Sequence, residues 1–152
     1  MNAQIIYVDT SVFGGVFDVE FGRASRLFFE QVQKGNLRIR VSSLVVAEIL
    51  RAPSDVREFF ERHRKRMDLI YLEKPSIELA EAYLRAGIVG KSSFYDALHV
   101  ALATVSGSSL IASWNFRHIV HFDKIALYNA VNRICGYHEI GICSPLEVIR
   151  YE

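Results

Sequence analysis

Ile5-Ile6-Tyr7-Val8-Asp9-Thr10-Ser11 is a β-branched and aromatic run that stops on an acid and two hydroxyls. A strand with one wet face alternates apolar and polar residues. Gln4 to Val8 does not alternate, so it reads as a strand buried on both faces. Thr10 or Ser11 then caps a short helix that ends near Gly14-Gly15 or continues toward Asp18. The rest of the chain repeats this rhythm. Leu37–Val41, Leu69–Leu72, Ser109–Ser113 and a short Glu139–Cys143 segment read as further strands. Between them lies a helix over Phe21–Lys34, with apolar residues at 24, 27, 28 and 32 and a stop at Gly35. Ser42 and Ser43 cap a helix over Leu44–Arg51, and Pro53 opens another that runs to Arg66. Helices over Ser76–Ala86, Phe94–Ser106 and Leu127–Ile134 each end at a glycine, and Pro145 opens a last turn. Alternating strands and helices imply an α/β fold whose mostly parallel sheet is covered on both sides.

The chain has 152 residues, enough for one domain over 1–152 with a sizeable core. Its 51% hydrophobic and 23% charged content excludes wholesale disorder. A formal net charge of +1 neither requires nor excludes a nucleic-acid partner, because the distribution of charge decides that. Cys135 and Cys143 form no C-x-x-C motif, and neither has zinc-ligand spacing to His63, His99, His118, His121 or His138. Two reduced thiols in a cytoplasmic protein are expected. No signal-peptide pattern opens the chain, and no apolar stretch reaches the roughly 18 residues of a membrane span.

Three acids each stand alone in an apolar run. Asp9 closes the first strand, Glu48 is the only charge in residues 41–50, and Asp96 is the only charge in residues 92–105. A buried carboxylate is costly unless paired, protonated or bound to a cation, and no Lys or Arg lies inside these runs. In a parallel sheet, ligand sites form beyond the carboxyl ends of the strands. Asp9 lies at such an end, Ser113–Asn115 at another, and Glu48 and Asp96 in the first turns of helices that start there. Like charges brought together demand a divalent metal, and a carboxylate pocket suits Mg²⁺ or Mn²⁺.

Each residue also has a plainer reading. Asp9 can cap the next helix, and Ser93 with Asp96 matches a capping box. Glu48 can occupy a narrow exposed strip, and His99 can be a core histidine held by hydrogen bonds. Arg62, Arg64, Lys65 and Arg66 form the only dense basic cluster, either a solvated helix face or, extended by Arg117, a phosphate-contacting surface. Phosphate loops and a G-x-S-x-G nucleophile elbow are absent, which leaves a metal-dependent hydrolase as the most economical enzyme.

Four segments, YVDTSVFGG, VVAEIL, FYDALHVALA and IASWNFRHI, occur in an order that resembles the PIN-domain ribonucleases, especially the VapC-type toxins of toxin–antitoxin pairs. The likeness runs from Ile5 to the final SPLEVI. It implies a three-layer α/β/α sandwich with strand order 3-2-1-4-5, and Mg²⁺- or Mn²⁺-dependent cleavage of RNA. It places Asp9, Glu48 and Asp96 as metal ligands and catalytic acids. Thr10 or Ser11 becomes a hydroxyl helper, Ser113 the small residue before the fourth position, and His99 a supporting group. The fourth catalytic position, commonly Asp, is Asn115 here, which removes one negative charge. The resemblance further implies a homodimer and an antitoxin partner, and Phe13, Phe17, Phe21, Phe28 and Phe29 suit either an interface or the core. A catalytically weak RNA- or protein-binding module on the same fold is the competing function. A haloacid-dehalogenase-type phosphatase ranks lower, because it wants an Asp where Ser11 stands.

Overall fold

A computed structural model describes residues 4–151. Residues 1–3 and 152 of the expected 1–152 domain lie outside the described residues. The elements run β1 (Ile5–Val8), α1 (Thr10–Gly15), α2 (Gly22–Gln33), β2 (Arg38–Ser42), α3 (Ser43–Ile49), α4 (Ser54–His63), β3 (Met67–Ile70), α5 (Lys74–Arg85), α6 (Phe94–Val105), β4 (Leu110–Ala112), α7 (Phe122–Ile134), β5 (Gly141–Cys143) and α8 (Pro145–Val148). The five strands form one sheet in the order β3-β2-β1-β4-β5. Every pairing is parallel: Ile5 lies opposite Arg38, Val8 opposite Ala112, Ile39 opposite Met67, and Leu110 opposite Gly141. Helices cover both sides, as the continuous apolar strands require.

β1 is the central strand, and its Ile6, Tyr7 and Val8 are buried. α6 is the most deeply buried helix, with every residue from Ala97 to Thr104 inside. On the other face, Phe13, Phe29 and Phe60 interlock, with Phe13 5.0 Å from each of the others. Burying each such ring contributes about 1.5–3 kcal/mol. Phe13, Phe28 and Phe29 therefore belong to the core, and Phe21 lies half-buried 4.4 Å from Trp114 in a stack. Of the aromatic series considered for an interface, Phe17 alone is exposed.

Several boundaries differ from the sequence expectation for identifiable reasons. Neither Thr10 nor Ser11 caps α1. Asp9 takes the N-cap place, and its side chain makes no cap bond. β3 lies two residues earlier than expected, where Asp68 meets Arg40 across the sheet at 2.6 Å. α5 begins at Lys74, because Pro75 is tolerated in a first turn. α7 begins at Phe122, where the His121 ring accepts from the Asp123 N–H. The Ser93–Asp96 capping box does not form, since Ser93 makes no side-chain cap bond.

Candidate active site at the carboxyl edge of the sheet

Parallel strands gather their carboxyl ends on one edge, so β1, β2 and β4 end beside one another at Val8, Ser42 and Ala112, with Val8 directly opposite Ala112. Asp9 follows Val8 directly and is 4% exposed. Its two oxygens each accept one hydroxyl, Oδ1 from Ser11 at 2.5 Å and Oδ2 from Ser113 at 2.6 Å. Those hydroxyls are themselves held. Ser11 Oγ accepts from the Trp114 N–H, and Ser113 Oγ accepts from the Asn115 N–H, both at 2.9 Å. Burial pushes the Asp9 carboxyl above its ordinary value; His99 and the two serines pull it down, and Glu48 adds to the rise.

Glu48 projects from α3, which Ser42 caps by accepting from the Val45 N–H. Its Oε1 accepts from Thr10 Oγ1 at 2.7 Å and meets His99 Nε2 at 2.6 Å. Thr10, the residue after Asp9, thus ties the end of β1 to Glu48. Burial raises the Glu48 carboxyl, but His99 and Thr10 outweigh it, and the net position is below ordinary. The two acids are therefore pushed in opposite directions. His99 is buried at 3% exposure, and its other nitrogen lies 2.9 Å from Tyr7 Oη.

Asp96 sits in the first turn of α6, half-buried, with no hydrogen bond to the protein among the described residues. α6 leads into β4 and so runs against the strands, which brings its start to the same edge. Its neighbour Tyr95 lines a cleft of about 220 Å³ with Leu44, Ala47, Glu48 and Arg51. Asn115 is half-buried just beyond β4, and its Oδ1 accepts from the His118 N–H at 2.9 Å. A backbone N–H can only donate, so the oxygen of Asn115 is the engaged atom, and its amide N–H₂ makes no hydrogen bond among the described residues.

The donors at this edge are carboxylate and hydroxyl oxygens, with one imidazole already engaged by Glu48. That chemistry fits a hard divalent ion in kind. Among the described residues, no three His, Cys, Asp or Glu side chains stand close enough together to grasp one ion. Thr10, next in the chain after Asp9, donates to Glu48, and Asp96 makes no hydrogen bond to either acid among the described residues.

The basic run lies elsewhere. Arg64, Lys65 and Arg66 form the single 3₁₀ turn that precedes β3, at the amino edge of the sheet. Arg64 pairs with Glu61 at 2.9 Å, and Arg62 lies over the Phe59 ring. Arg117 is exposed two residues past Asn115. Both cysteines are free. No helix among the described residues is long and apolar enough to cross a membrane.

Sequence reasoning did not single out Tyr7 as a polar group, nor Arg51 and Tyr95 as cleft residues. A tyrosine in an otherwise aliphatic buried strand was the available signal, because its hydroxyl needs a partner.

No curated protein matches the chain by sequence. Solved structures do match by fold. VapC20 of Mycobacterium tuberculosis, a sarcin-ricin loop cleaving toxin, superposes with a TM-score of 0.55 at 18% identity, over 89% of this chain and 98% of that one. VapBC2 of Rickettsia felis, bound to a DNA fragment from its promoter, gives a TM-score of 0.54 at 16% identity, over 75% and 90% of the two chains. The PIN domain family model matches residues 6–126, which span β1 to the start of α7 and include Asp9, Glu48, Asp96 and Asn115. With most of its length inside that match, the chain belongs to the PIN-domain family.

Proposed function

We propose that the protein is a Mg²⁺- or Mn²⁺-dependent endoribonuclease, acting as the toxin of a toxin–antitoxin pair. The observation that carries this reading is the Asp9–Glu48 pair, two carboxylates at the ligand-binding edge of a parallel sheet, each held in place by its own donors. Asp9, Glu48 and Asp96 would hold the ion, although without it they do not stand close enough together to grasp it. When bound, a divalent ion polarises a phosphoryl oxygen and lowers the pKa of a bound water. Ser11 and Ser113 keep Asp9 oriented and ionisable despite its burial. Thr10 and His99 do the same for Glu48. The amide N–H₂ of Asn115 is a hydrogen-bond donor suited to a phosphate oxygen.

RNA binds beside these groups in the cleft that Glu48, Arg51 and Tyr95 line. Arg51 offers a cation to the phosphate backbone. Tyr95, 61% exposed, offers a face for a base to stack on. Arg117 extends the same surface. Arg64, Lys65 and Arg66 occupy the opposite sheet edge, so with Arg62 they are assigned at most to outlying RNA and not to the scissile phosphate. The VapBC2 neighbour supports an antitoxin protein as partner. A single cytoplasmic domain that pairs as a homodimer completes the reading.

The test is cleavage of a single-stranded RNA with and without Mn²⁺, alongside calorimetric titration of Mn²⁺. Cleavage that appears with the ion, stops on chelation and disappears in Asp9→Asn and Asp96→Asn supports the proposal. Full activity in either variant refutes the assigned roles. A second reading, a non-catalytic RNA-binding module, draws on the lack of an ion-sized cluster of acids among the described residues and on the engaged oxygen of Asn115. Ion and RNA binding without cleavage is its signature.

A further inference from the structure

Four side chains form a continuous line that leaves α3 and returns to it. Ser42 Oγ, at the N-cap, lies 2.7 Å from Tyr7 Oη, which lies 2.9 Å from His99 Nδ1. His99 Nε2 then lies 2.6 Å from Glu48 Oε1. Ser42 and Tyr7 are 0% exposed and His99 is 3% exposed. With water excluded, these groups must match donors to acceptors among themselves.

Counting protons sets the direction. The Val45 N–H donates to Ser42 Oγ, so Ser42 accepts on that side. Its own proton has one acceptor among the described residues, Tyr7 Oη. Tyr7 must then donate to His99 Nδ1, which therefore carries no hydrogen. The imidazole hydrogen sits on Nε2 and points at Glu48 Oε1, as an ionised carboxylate needs. The reverse direction puts a hydrogen on Nδ1 and leaves the Ser42 proton buried without an acceptor, a costly state.

We infer that Ser42, Tyr7 and His99 form a one-way hydrogen-bond relay that fixes the Nε2–H tautomer of His99 and so positions Glu48 at the site. Thr10 donates to the same Oε1 at 2.7 Å, so two donors converge on one oxygen. Oε2 accepts no hydrogen bond from the described residues and is the atom turned to the site, on a side chain that is 37% exposed. Tyr7, Ser42 and His99 are positioning residues, since they act only through Glu48. Because the line begins and ends on α3, any rotation of that helix breaks it at both ends.

The tautomer follows from the hydrogen bonds alone, whereas its consequence for ion binding rests on the proposed metal-dependent function. The experiment separates the two. Long-range proton–nitrogen spectra of the metal-free chain, with ¹⁵N-labelled histidine, are expected to show His99 with a bare Nδ1 and a protonated Nε2. Tyr7→Phe, which keeps the ring, is expected to lose that single-tautomer signature. An Nδ1–H or doubly protonated His99 in the native chain overturns the relay.

Calorimetry with Mn²⁺ reads the positioning. Tyr7→Phe is expected to weaken binding about tenfold, the low end of what partners of metal-ligating groups contribute. His99→Leu is expected to weaken it at least as much. His99→Gln, whose amide offers a donor in the place of Nε2, is expected to recover most of the loss. Native affinity in Tyr7→Phe overturns the positioning role. Should Tyr7→Phe not fold, the contrast between His99→Gln and His99→Leu decides the point, and equal affinities overturn it. A native chain that binds no Mn²⁺ overturns the metal reading and, with it, the positioning claim, while the tautomer spectrum still decides the relay.

Discussion

Replacing Ser113 by Ala tests how the protein tolerates a buried acid. Ser113 is 0% exposed, and its hydroxyl makes two short bonds that the variant loses, besides a longer contact of 3.4 Å with Ser11 Oγ. It donates to Asp9 Oδ2 at 2.6 Å and accepts from the Asn115 N–H at 2.9 Å. A bond to an ionised acceptor contributes about 1.5–3 kcal/mol and a neutral one about 0.5–1.5. The Asn115 N–H, half-buried, adds about 1 kcal/mol when left unpaired. Taken at the low end of each range, the sum is about 3 kcal/mol of lost stability with Asp9 ionised and about 2 with Asp9 protonated. The difference has a definite sign. Burial already raises the Asp9 carboxyl in the folded state, so the folded chain keeps its proton longer than the unfolded one and loses stability as pH rises through that window. Ser113→Ala removes a donor that favours the charged form, raises the folded value further and extends the window upward. The assay is urea unfolding in the presence of a chelator, at a series of pH values from the acid side of the Asp9 titration upward. The penalty should grow by about 1 kcal/mol with rising pH, equivalent to just under one unit of further shift. A penalty independent of pH would show that Ser113 does not serve the Asp9 charge.

Other perturbations read different parts of the molecule. A Cβ at Gly15 falls 2.8 Å from the Trp114 ring and 2.7 Å from Ser25 Oγ, the atom that accepts from the indole N–H. Gly15→Ala should therefore lower stability by about 1–3 kcal/mol through overpacking and alter the near-ultraviolet dichroism of the sole tryptophan; an unchanged band contradicts the packing. Brief alkylation at pH 8 should give a single adduct at exposed Cys135, because burial pushes the Cys143 thiol up to about 12; comparable labelling of both by mass spectrometry contradicts this. Asn115→Asp keeps an acceptor for the His118 N–H and adds a negative charge, so Mn²⁺ affinity should rise about fivefold, the worth of one nearby charge in a wet site. An unchanged isotherm places Asn115 outside the field of the ion.

The strands and most helices could be read from the chain because their signals are local. β1 has no polar alternation, Gly35 and Gly107 stop helices at positive φ, and Pro53 opens α4. The strand order came from the family resemblance, since no local pattern states which strand pairs with which. Boundaries failed where a tertiary contact outranks propensity. Met67 and Asp68 join β3 because Ile39 and Arg40 lie opposite them, a pairing 28 residues away for Arg40 and Asp68. The Ser93–Asp96 spacing was a genuine capping signal, yet the chain enters α6 through a 3₁₀ turn over Lys91–Ser93 instead. Ser93 then sits at the N-cap with φ −111° and ψ 22°, away from the extended backbone that capping favours.

The acids are conspicuous in the chain itself, whereas Thr10, Ser11, Ser113 and His99, which hold two of them, were given supporting roles only through the family resemblance, and Tyr7 not at all. A lone acid in an apolar run is conspicuous, and Asp9, Glu48 and Asp96 stand out for that reason. Their orienting groups are Ser, Thr and Tyr residues, each unremarkable in its own segment. Ser113 ends a strand, Thr10 starts a helix, and Tyr7 fills a strand interior. Their role exists only across separations of 104 residues for Ser113 and Asp9 and 92 for Tyr7 and His99. His99 lay between the two cases. It lies one turn after Asp96 on α6, yet its Nε2 meets Glu48 on another helix. Helical periodicity says which face a side chain occupies, and α6 is buried on nearly every face. The choice of partner was made by α3, whose cap at Ser42 and acid at Glu48 grip the same tyrosine–histidine pair from two ends.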